Sequence, residues 1–261
     1  MSRELAFALA AAREAGAATL HWFGSEHLGV ETKGDGTPVT RADREAERIL
    51  VERIRGTFPD DGILGEETGE RRGASDRRWI LDPIDGTKSF VHGVPLYGTL
   101  VALEVRGAAV LGVIFLPALR ETVFAARGDG AHWARGLGEG ETTVPARVST
   151  VDRLDQALLC TTSARGFERS GHTAFLERIR GRAGTERGWG DCYGHALVAT
   201  GRAEVMLDPV MAIWDCAALQ PILEEAGGRF TDFAGTPTHR GGSAISTNLA
   251  LADQVRVLAR G

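Results

Sequence analysis

Apolar residues recur every three or four positions in two stretches near the N-terminus, which is the spacing of one buried helix face. The first stretch covers residues 3–23 and the second covers residues 40–55. Thr40 and Asp43 have the spacing of an N-cap pair, and a glycine follows the second stretch. We therefore predict two amphipathic helices, joined by a polar, glycine-rich loop over residues 33–38.

Short apolar runs in the next part of the chain predict buried strands. Residues 63–64 and 79–81 form two such runs, and each leads directly into an acidic cluster. Longer β-rich runs flank glycine-containing turns and predict two hairpins, over residues 97–116 and 122–133. The acidic clusters are therefore expected in loops at the ends of strands.

Predicted strands and helices alternate in the second half of the chain. The strands are 157–161, 204–207, 229–233 and 244–246, and the helices are 171–180, 192–200, 214–226 and 249–260. This alternation favours a layered α/β architecture. A polar, glycine-rich stretch over residues 136–145 predicts a seam, so that one unit of residues 1–261 has subdomains of approximately 1–145 and 146–261.

Composition and charge narrow the range of functions. The chain has 261 residues with 43% hydrophobic and 25% charged residues, which is typical of a globular protein. Its formal charge of −5 argues against a nucleic-acid partner, because such partners need a basic surface. The longest apolar runs reach about a dozen residues, whereas a membrane span needs about 20. Three widely spaced cysteines indicate a reducing compartment, and we expect a cytoplasmic protein without a membrane partner.

One motif carries the most chemical information, the segment Trp79–Thr87. A hydrophobic strand runs into Asp82 and Asp85, with a proline between them and Gly86 after them. Such a turn can aim both carboxylates and the Ile84 carbonyl at one point, and these hard oxygen ligands suit Mg²⁺. The amides that follow would begin a helix, where phosphate binds well. The alternative interpretation is an acidic turn in which aspartate caps the helix.

Two further acidic segments of the sequence extend this interpretation. Glu66 and Glu67 follow the run at residues 63–64, and Asp215 follows Trp214 far along the chain. Taken singly, Glu66 reads as a surface residue and Asp215 as an N-cap. Together with Asp82 and Asp85 they supply enough carboxylates for two or three divalent ions.

These motifs resemble those of the inositol monophosphatase family in order and in spacing. The matching segments are Pro38–Thr40 with Asp43, Gly65–Glu67, Asp82–Thr87, Trp214-Asp215 and Glu225–Gly228. The resemblance covers nearly the whole chain. It implies an αβαβα sandwich, a homodimer, dependence on Mg²⁺, sensitivity to lithium and a small phosphorylated metabolite as substrate.

The resemblance also implies a role for each site residue. Glu66, Asp82 and the Ile84 carbonyl would bind one ion, and Asp82, Asp85 and Asp215 a second. Asp43, Thr87 and Glu66 would orient and activate the attacking water. Gly86, Thr87 and Lys88 would bind the phosphate. Two metals can clamp an in-line displacement without a covalent phosphoenzyme, which agrees with these roles. Asp43 has an alternative role as a capping residue, and the two roles are compatible.

Other phosphatase chemistry fits the chain less well. The haloacid-dehalogenase phosphatases place their nucleophile in an Asp-x-Asp-Gly-Thr motif near the N-terminus. Here two residues separate Asp82 from Asp85, and the motif lies further along the chain. A metal-dependent, polyanion-binding protein without turnover is a more distant alternative.

Residues in the second half suggest which ester is hydrolysed. Asp191 occupies a position where inositol phosphatases carry small neutral residues, and Asp208 one where they carry glutamate. Both anions could pair with a cationic alcohol such as L-histidinol. The segment Arg187–Tyr193 resembles the branch of the family that acts on histidinol phosphate, with Arg187 holding the phosphate, in its own site or from a partner subunit.

Alternatives remain for the substrate and for these residues. The same family offers inositol phosphate, fructose bisphosphate and phosphoadenosine nucleotides as substrates. Asp191 could instead be the N-cap of the helix at residues 192–200, and Arg187 could form a surface ion pair.

Overall fold

The computed structural model describes residues 1–34 and 36–260, so Asp35 of the predicted loop and Gly261 of the predicted unit lie outside the described residues. Within those ranges the helices are α1 (Arg3–Thr19), α2 (Arg41–Thr57), α3 (Thr87–Val91), α4 (Ala164–Ser170), α5 (Thr173–Arg180), α6 (Asp191–Ala199), α7 (Ile213–Ala217), α8 (Leu219–Glu225) and α9 (Ala252–Arg260). The strands are β1 (Glu31–Thr32), β2 (Pro38–Val39), β3 (Gly62–Gly65), β4 (Gly69–Arg71), β5 (Arg77–Asp85), β6 (Gly98–Val105), β7 (Ala108–Leu116), β8 (Glu121–Ala126), β9 (Gly130–Arg135), β10 (Thr142–Pro145), β11 (Leu158–Thr161), β12 (Thr185–Arg187), β13 (Val205–Asp208), β14 (Arg229–Thr231) and β15 (Ala244–Thr247).

Two sheets form the frame of the molecule. The larger sheet has the order β10-β9-β8-β7-β6-β5-β3-β4 and is antiparallel except where β3 runs parallel to β5. The smaller sheet has the order β12-β11-β13-β15-β14, with parallel pairing on both sides of β11. The strands β1 and β2 pair with each other alone. The chain passes from the larger sheet to the smaller over residues 146–157.

Helices cover both faces of both sheets. Helices α1 and α2 share a core with one face of the larger sheet. Helices α6 and α8 share a second core with its other face and with the smaller sheet. Helices α4, α5 and α9 cover the far face of the smaller sheet. These five layers confirm the predicted αβαβα sandwich.

Strand β5 serves two of these layers at once. Trp79 and Leu81 pack into the core with α1 and α2, whereas Ile80 packs into the core with α6 and α8. All three are buried, because successive side chains of a strand point to opposite faces and both faces are covered. Helix α7 contacts β5, and the Cys192 amide of α6 donates to Asp85, so the carboxyl end of β5 places its aspartates beside these two helices.

Most predicted elements are present, and the differences have local causes. The helix predicted over residues 214–226 is broken into α7 and α8. Pro221 has no amide hydrogen, so it leaves the carbonyl of Ala217 without its helical donor. The helix predicted from Gly171 instead starts at Thr173, because Gly171 has φ 76° and ends α4, a helix that the pattern did not reveal. Strand β10, within the polar stretch at 136–145, was also not predicted.

Helix α1 ends at Thr19 rather than at residue 23. The Thr19 hydroxyl donates to the Gly16 carbonyl over 2.6 Å, and the chain then turns. In the described part of the chain, no helix is both long enough and apolar enough to cross a membrane.

Candidate active site

The site begins with an irregularity in strand β5. Asp82 pairs with Leu100 of β6, but Asp85 pairs with Gly98, so β5 carries one extra residue. Pro83 lies in this bulge, where it has no amide hydrogen to give to the ladder, and its carbonyl accepts a hydrogen bond from Thr99 over 2.8 Å. Side chains three positions apart on a regular strand point to opposite faces, and the extra residue brings Asp82 and Asp85 to the same side.

Asp215 completes a cluster of three carboxylates. Oxygens of Asp82, Asp85 and Asp215 lie within 4.8 Å of one another. Asp215 is the third residue of α7 rather than its N-cap, and its Oδ2 accepts the Ala212 amide over 2.7 Å. The structure therefore brings together three of the predicted ligands from widely separated parts of the sequence.

The cluster is electrostatically unfavourable without a cation. Burial, followed by repulsion from Glu66 and Asp85, raises the pKa of Asp82 well above its ordinary value. Burial and repulsion from Asp191 do the same for the pKa of Asp85. Burial also raises the pKa of Asp215 to about 7. Three such carboxylates ionise together only when positive charge lies among them, so this set of hard oxygen donors fits a divalent metal ion.

Glu66 lies beside this cluster, at the end of β3. Its amide donates to the Leu81 carbonyl of β5 over 3.2 Å, which holds the two strand ends together. The Lys33 ammonium group lies 2.7 Å from Glu66 Oε1 and also bonds to Glu67. Burial lowers the pKa of Lys33, but the bonds to both glutamates outweigh it and raise the pKa overall. Lys33 thus balances part of the negative charge on this side of the site.

Gly86 and Thr87 turn the chain from β5 into α3. Gly86 has φ 86°, and a Cβ there would lie 3.1 Å from the Leu96 carbonyl oxygen, so a side chain would be strained and crowded. The Thr87 hydroxyl donates to the Ile84 carbonyl over 3.0 Å. One cleft of about 410 Å³ is lined by Ile84, Gly86, Thr87 and Lys88 together with the acidic residues Glu66, Asp82, Asp85 and Asp215.

Asp43 has one engaged oxygen and one unengaged oxygen. Its Oδ2 accepts the Thr40 amide over 2.7 Å and the Thr40 hydroxyl over 2.6 Å, which confirms the predicted capping pair at the start of α2. Its Oδ1 is buried and has no hydrogen-bond partner among the described residues. Burial raises the pKa of Asp43 to about 6. A buried carboxylate oxygen without a donor suits the binding of a proton-bearing ligand.

Asp191 lines both the cleft of about 410 Å³ and an adjoining cavity of about 690 Å³, and Asp208 lines the adjoining cavity. Asp191 is the first residue of α6, and its side chain does not cap that helix. Its Oδ2 lies 3.2 Å from the point that a Cβ of Gly86 would occupy, so it faces the turn before α3. Burial raises the pKa of Asp191 to about 6 and that of Asp208 to about 8.

Two residues that support the site, Thr162 and Glu47, were not predicted from sequence. The Thr162 hydroxyl donates to Asp208 over 2.6 Å and accepts the Asp191 amide over 2.9 Å. The buried Glu47 side chain accepts the amides of Glu67 and Thr68. Glu47 lies one helical turn after Asp43, so the spacing places both residues on one face of α2. This signal was available in the sequence, but it is not specific for a functional site.

Arg187 is not brought into the cleft of this chain. It lies at the end of β12, is exposed, and donates through Nη1 to the Glu186 carbonyl over 2.7 Å. It does not line either cavity described above. No acidic side chain within 4 Å of Arg187 is found in the described ranges, so the ion pair offered as its alternative role is not seen there.

Comparison with known proteins finds relatives that match almost the whole chain. Residues 1–259 match the model of the inositol monophosphatase family. The histidinol-phosphatase of Chlorobaculum parvum is 47% identical over 96% of this chain and 94% of that protein. The histidinol-phosphatase of Mycobacterium tuberculosis is 40% identical over 97% of this chain and 96% of that protein. The crystal structure of extragenic suppressor protein suhB from Bartonella henselae superposes with a TM-score of 0.89 at 29% identity, covering 99% of each chain.

Proposed function

The chain belongs to the inositol monophosphatase family and is a phosphoric monoester hydrolase, and we propose that it releases phosphate from L-histidinol phosphate with Mg²⁺ as its metal. Family membership confirms the resemblance on which the motifs were interpreted. In this reaction water attacks phosphorus and L-histidinol leaves, which would place the protein in histidine biosynthesis.

The metal-binding part of the proposal is supported by the donor set. Glu66, Asp82 and the Ile84 carbonyl would hold one Mg²⁺, and Asp82, Asp85 and Asp215 a second. The negative charge of these carboxylates would also allow a third ion. A bound divalent ion lowers the pKa of water and neutralises charge on the phosphate and on the leaving oxygen. The raised pKa values of the cluster support a cation between these groups.

The remaining steps fall to side chains and amides of the chain itself. Asp43 would accept a proton from the attacking water at Oδ1, the oxygen that has no partner. Thr87 would orient that water through its hydroxyl, and Glu66 would assist from the other side. The amides of Gly86 and Thr87 and the ammonium group of Lys88 would bind the phosphate oxygens.

One observation carries the choice of substrate: Asp191 in the cleft and Asp208 in the adjoining cavity are two carboxylates beyond those that would bind metal. A neutral polyol gives no reason to place a second anion, Asp191, beside the one at Asp208. An ester with an ammonium group and an imidazole does, because these groups would pair with Asp191 and Asp208. Two relatives named histidinol-phosphatase support the same choice.

Side-by-side assays test this proposal. Phosphate release would be measured from L-histidinol phosphate, inositol 1-phosphate and p-nitrophenyl phosphate, with Mg²⁺ and then with excess EDTA. We expect a strong preference for L-histidinol phosphate, lost when EDTA removes the metal. Preference for inositol 1-phosphate, or equal slow rates, would contradict the substrate while leaving the metal chemistry intact. Full activity in EDTA would contradict the metal.

We also propose that the enzyme is a homodimer. Arg187 is exposed and lies outside the cleft of its own chain, so a role in holding phosphate requires a second copy. Light scattering after size-exclusion chromatography would measure the mass, and Arg187→Ala would be compared with the wild type for its KM. A fully active monomer would contradict both the dimer and the shared site.

A further inference from the structure

The Thr162 hydroxyl bonds to the side-chain carboxylate of Asp208 and to the backbone amide of Asp191. Thr162 lies between β11 and α4, in the segment that lines both cavities. Its hydroxyl lies 2.6 Å from Asp208 Oδ2 and 2.9 Å from the amide nitrogen of Asp191. One side chain therefore connects the end of β13 to the start of α6.

The direction of both hydrogen bonds is determined. A hydroxyl has one proton, and the Asp191 amide can only donate, so Thr162 accepts from Asp191. Its own proton is then donated to Oδ2 of Asp208, and this bond stabilises the ionised form of the carboxylate. Burial raises the pKa of Asp208, and the hydrogen bond from Thr162 opposes this rise. The bond therefore favours the charged form that a cationic ligand would need.

The backbone around Asp191 is held tightly in an unusual conformation. Asp191 has φ 51°, which residues with a side chain rarely adopt. Thr162 holds its amide, and Asp85 accepts the amide of the next residue, Cys192. On the other side, a Cβ at Gly190 would lie 2.4 Å from the Cα of Thr162, so the two segments are in direct contact. These contacts fix the backbone from which the Asp191 side chain projects.

We propose that Thr162 is a positioning residue for substrate specificity, whose hydroxyl aligns the carboxylates of Asp191 and Asp208 as a pair that receives the cationic part of the alcohol. The inference rests on the proposed function, because it assumes a cationic ester. Thr162 itself contacts neither the phosphate turn nor the three aspartates of the metal cluster by any hydrogen bond in the described structure. Its removal should therefore change selectivity and leave the chemistry of other esters intact.

Two substitutions at this position separate positioning from packing. Thr162→Val keeps the shape and removes the hydroxyl, whereas Thr162→Ser keeps the hydroxyl. For Thr162→Val we expect the KM for L-histidinol phosphate to rise about 10-fold, since a lost hydrogen bond to a charged group has an effect of this size. The kcat/KM for p-nitrophenyl phosphate should stay within about twofold. Thr162→Ser should behave like the wild type with both esters.

A double-mutant cycle provides a second measurement. In an Asp191→Asn background, Thr162→Val should add little further loss for L-histidinol phosphate, because groups that act through one another are not additive. Circular dichroism and thermal melts would establish that each variant is folded. Equal losses on both esters would show a structural role and overturn the inference, as would an unchanged KM for L-histidinol phosphate.

The wild-type control distinguishes this inference from the proposed function. If the wild type does not prefer L-histidinol phosphate over neutral esters, the proposed substrate fails and the inference fails with it. If the wild type has that preference and Thr162→Val retains it, only the role of Thr162 is overturned.

Discussion

Asp191 contributes a left-handed backbone conformation and a negative charge, and substitutions can test these two features separately. Its φ of 51° costs most residues about 1–2 kcal/mol, whereas aspartate and asparagine tolerate the left-handed region better. Asp191→Asn should therefore keep the fold and remove only the charge. We expect its kcat/KM for L-histidinol phosphate to fall at least about 10-fold, with p-nitrophenyl phosphate affected about twofold or less.

Asp191→Ala is the matched comparison at the same position. It loses the charge and also pays the conformational cost, so its Tm should lie about 2–4 °C below that of Asp191→Asn. Thermal melts and steady-state assays on both variants would measure the two effects. Equal losses on both esters in Asp191→Asn would count against a cation-binding role.

Asp82 is shared by both proposed metal positions, so its replacement tests the cluster as a whole. We expect Asp82→Asn to lower turnover by more than about 100-fold, because even an outer-sphere partner of a metal ligand is worth 10- to 100-fold. The same change removes a buried carboxyl group whose pKa is raised by burial and by its acidic neighbours. The metal-free variant should therefore be as stable as the metal-free wild type, or more stable.

The control for Asp82 is an aspartate on the surface. Asp253 in α9 has a side chain that is 87% exposed, so Asp253→Asn should leave turnover unchanged. Phosphate release, isothermal titration with Mg²⁺ and thermal melts in EDTA would be measured for both variants. Near-normal turnover in Asp82→Asn would remove the two-metal mechanism.

At the scale of elements, α2 supports the site at two levels. Asp43 is buried in the first turn of α2, and one turn later the fully buried Glu47 accepts the amides of Glu67 and Thr68 over 2.9 and 2.7 Å. These bonds hold the turn that carries Glu66. Glu47→Gln would place an amide group against an amide donor, at a cost of about 1–3 kcal/mol in the free energy of unfolding. We also expect weaker Mg²⁺ binding, since Glu66 would be held less firmly.

Glu52 lies on the same helix and offers a control. Its side chain is 61% exposed and pairs with Arg48 on the surface, so Glu52→Gln should change stability by less than about 0.5 kcal/mol. Denaturant unfolding and titration with Mg²⁺ would be compared for both variants. Wild-type affinity for Mg²⁺ in Glu47→Gln would show that the turn keeps its position without this carboxylate.

The same elements show how far sequence reasoning reaches. The apolar pattern predicted α2 and the two hairpins, because the residues that define each of these elements lie close together in the sequence. The break between α7 and α8 was missed, although Pro221 signalled it, because the apolar pattern continues across the proline. Strand β10 is exposed along its length and lies at a sheet edge, so no buried face marks it in the sequence.

Within the site, residues in contiguous motifs were predictable and residues that meet only in three dimensions were not. Asp82, Asp85 and Gly86 lie in one short segment whose spacing limits where they can point. Thr162 acts on partners 29 and 46 positions away, and a lone threonine between a strand and a helix has no distinctive pattern. The bulge in β5 likewise depends on pairing with β6, which the motif alone does not specify.

At the scale of the whole molecule, the fold buries several carboxyl groups close together, and this makes its stability depend on pH. In the folded state the pKa of Asp43 is about 6, that of Asp215 about 7 and that of Asp208 about 8, against an ordinary value of 3.8. Between about pH 4 and pH 8 the folded chain therefore binds more protons than the unfolded chain. Linkage then requires the free energy of unfolding of the metal-free protein to fall as pH rises through this range.

A divalent ion should reverse much of this trend, because it favours the ionised carboxylates and binds the folded state. We expect the Tm in EDTA to be highest at the acid end of this range and to fall towards pH 8, while saturating Mg²⁺ raises the Tm most at pH 8. Asp215→Asn should flatten the curve in EDTA, since it removes one titrating group of the cluster. Thermal melts across this pH range, with EDTA and with Mg²⁺, would measure the effect. Parallel curves in the two conditions would show that the ion does not bind among these carboxylates, and the site would then need another source of positive charge.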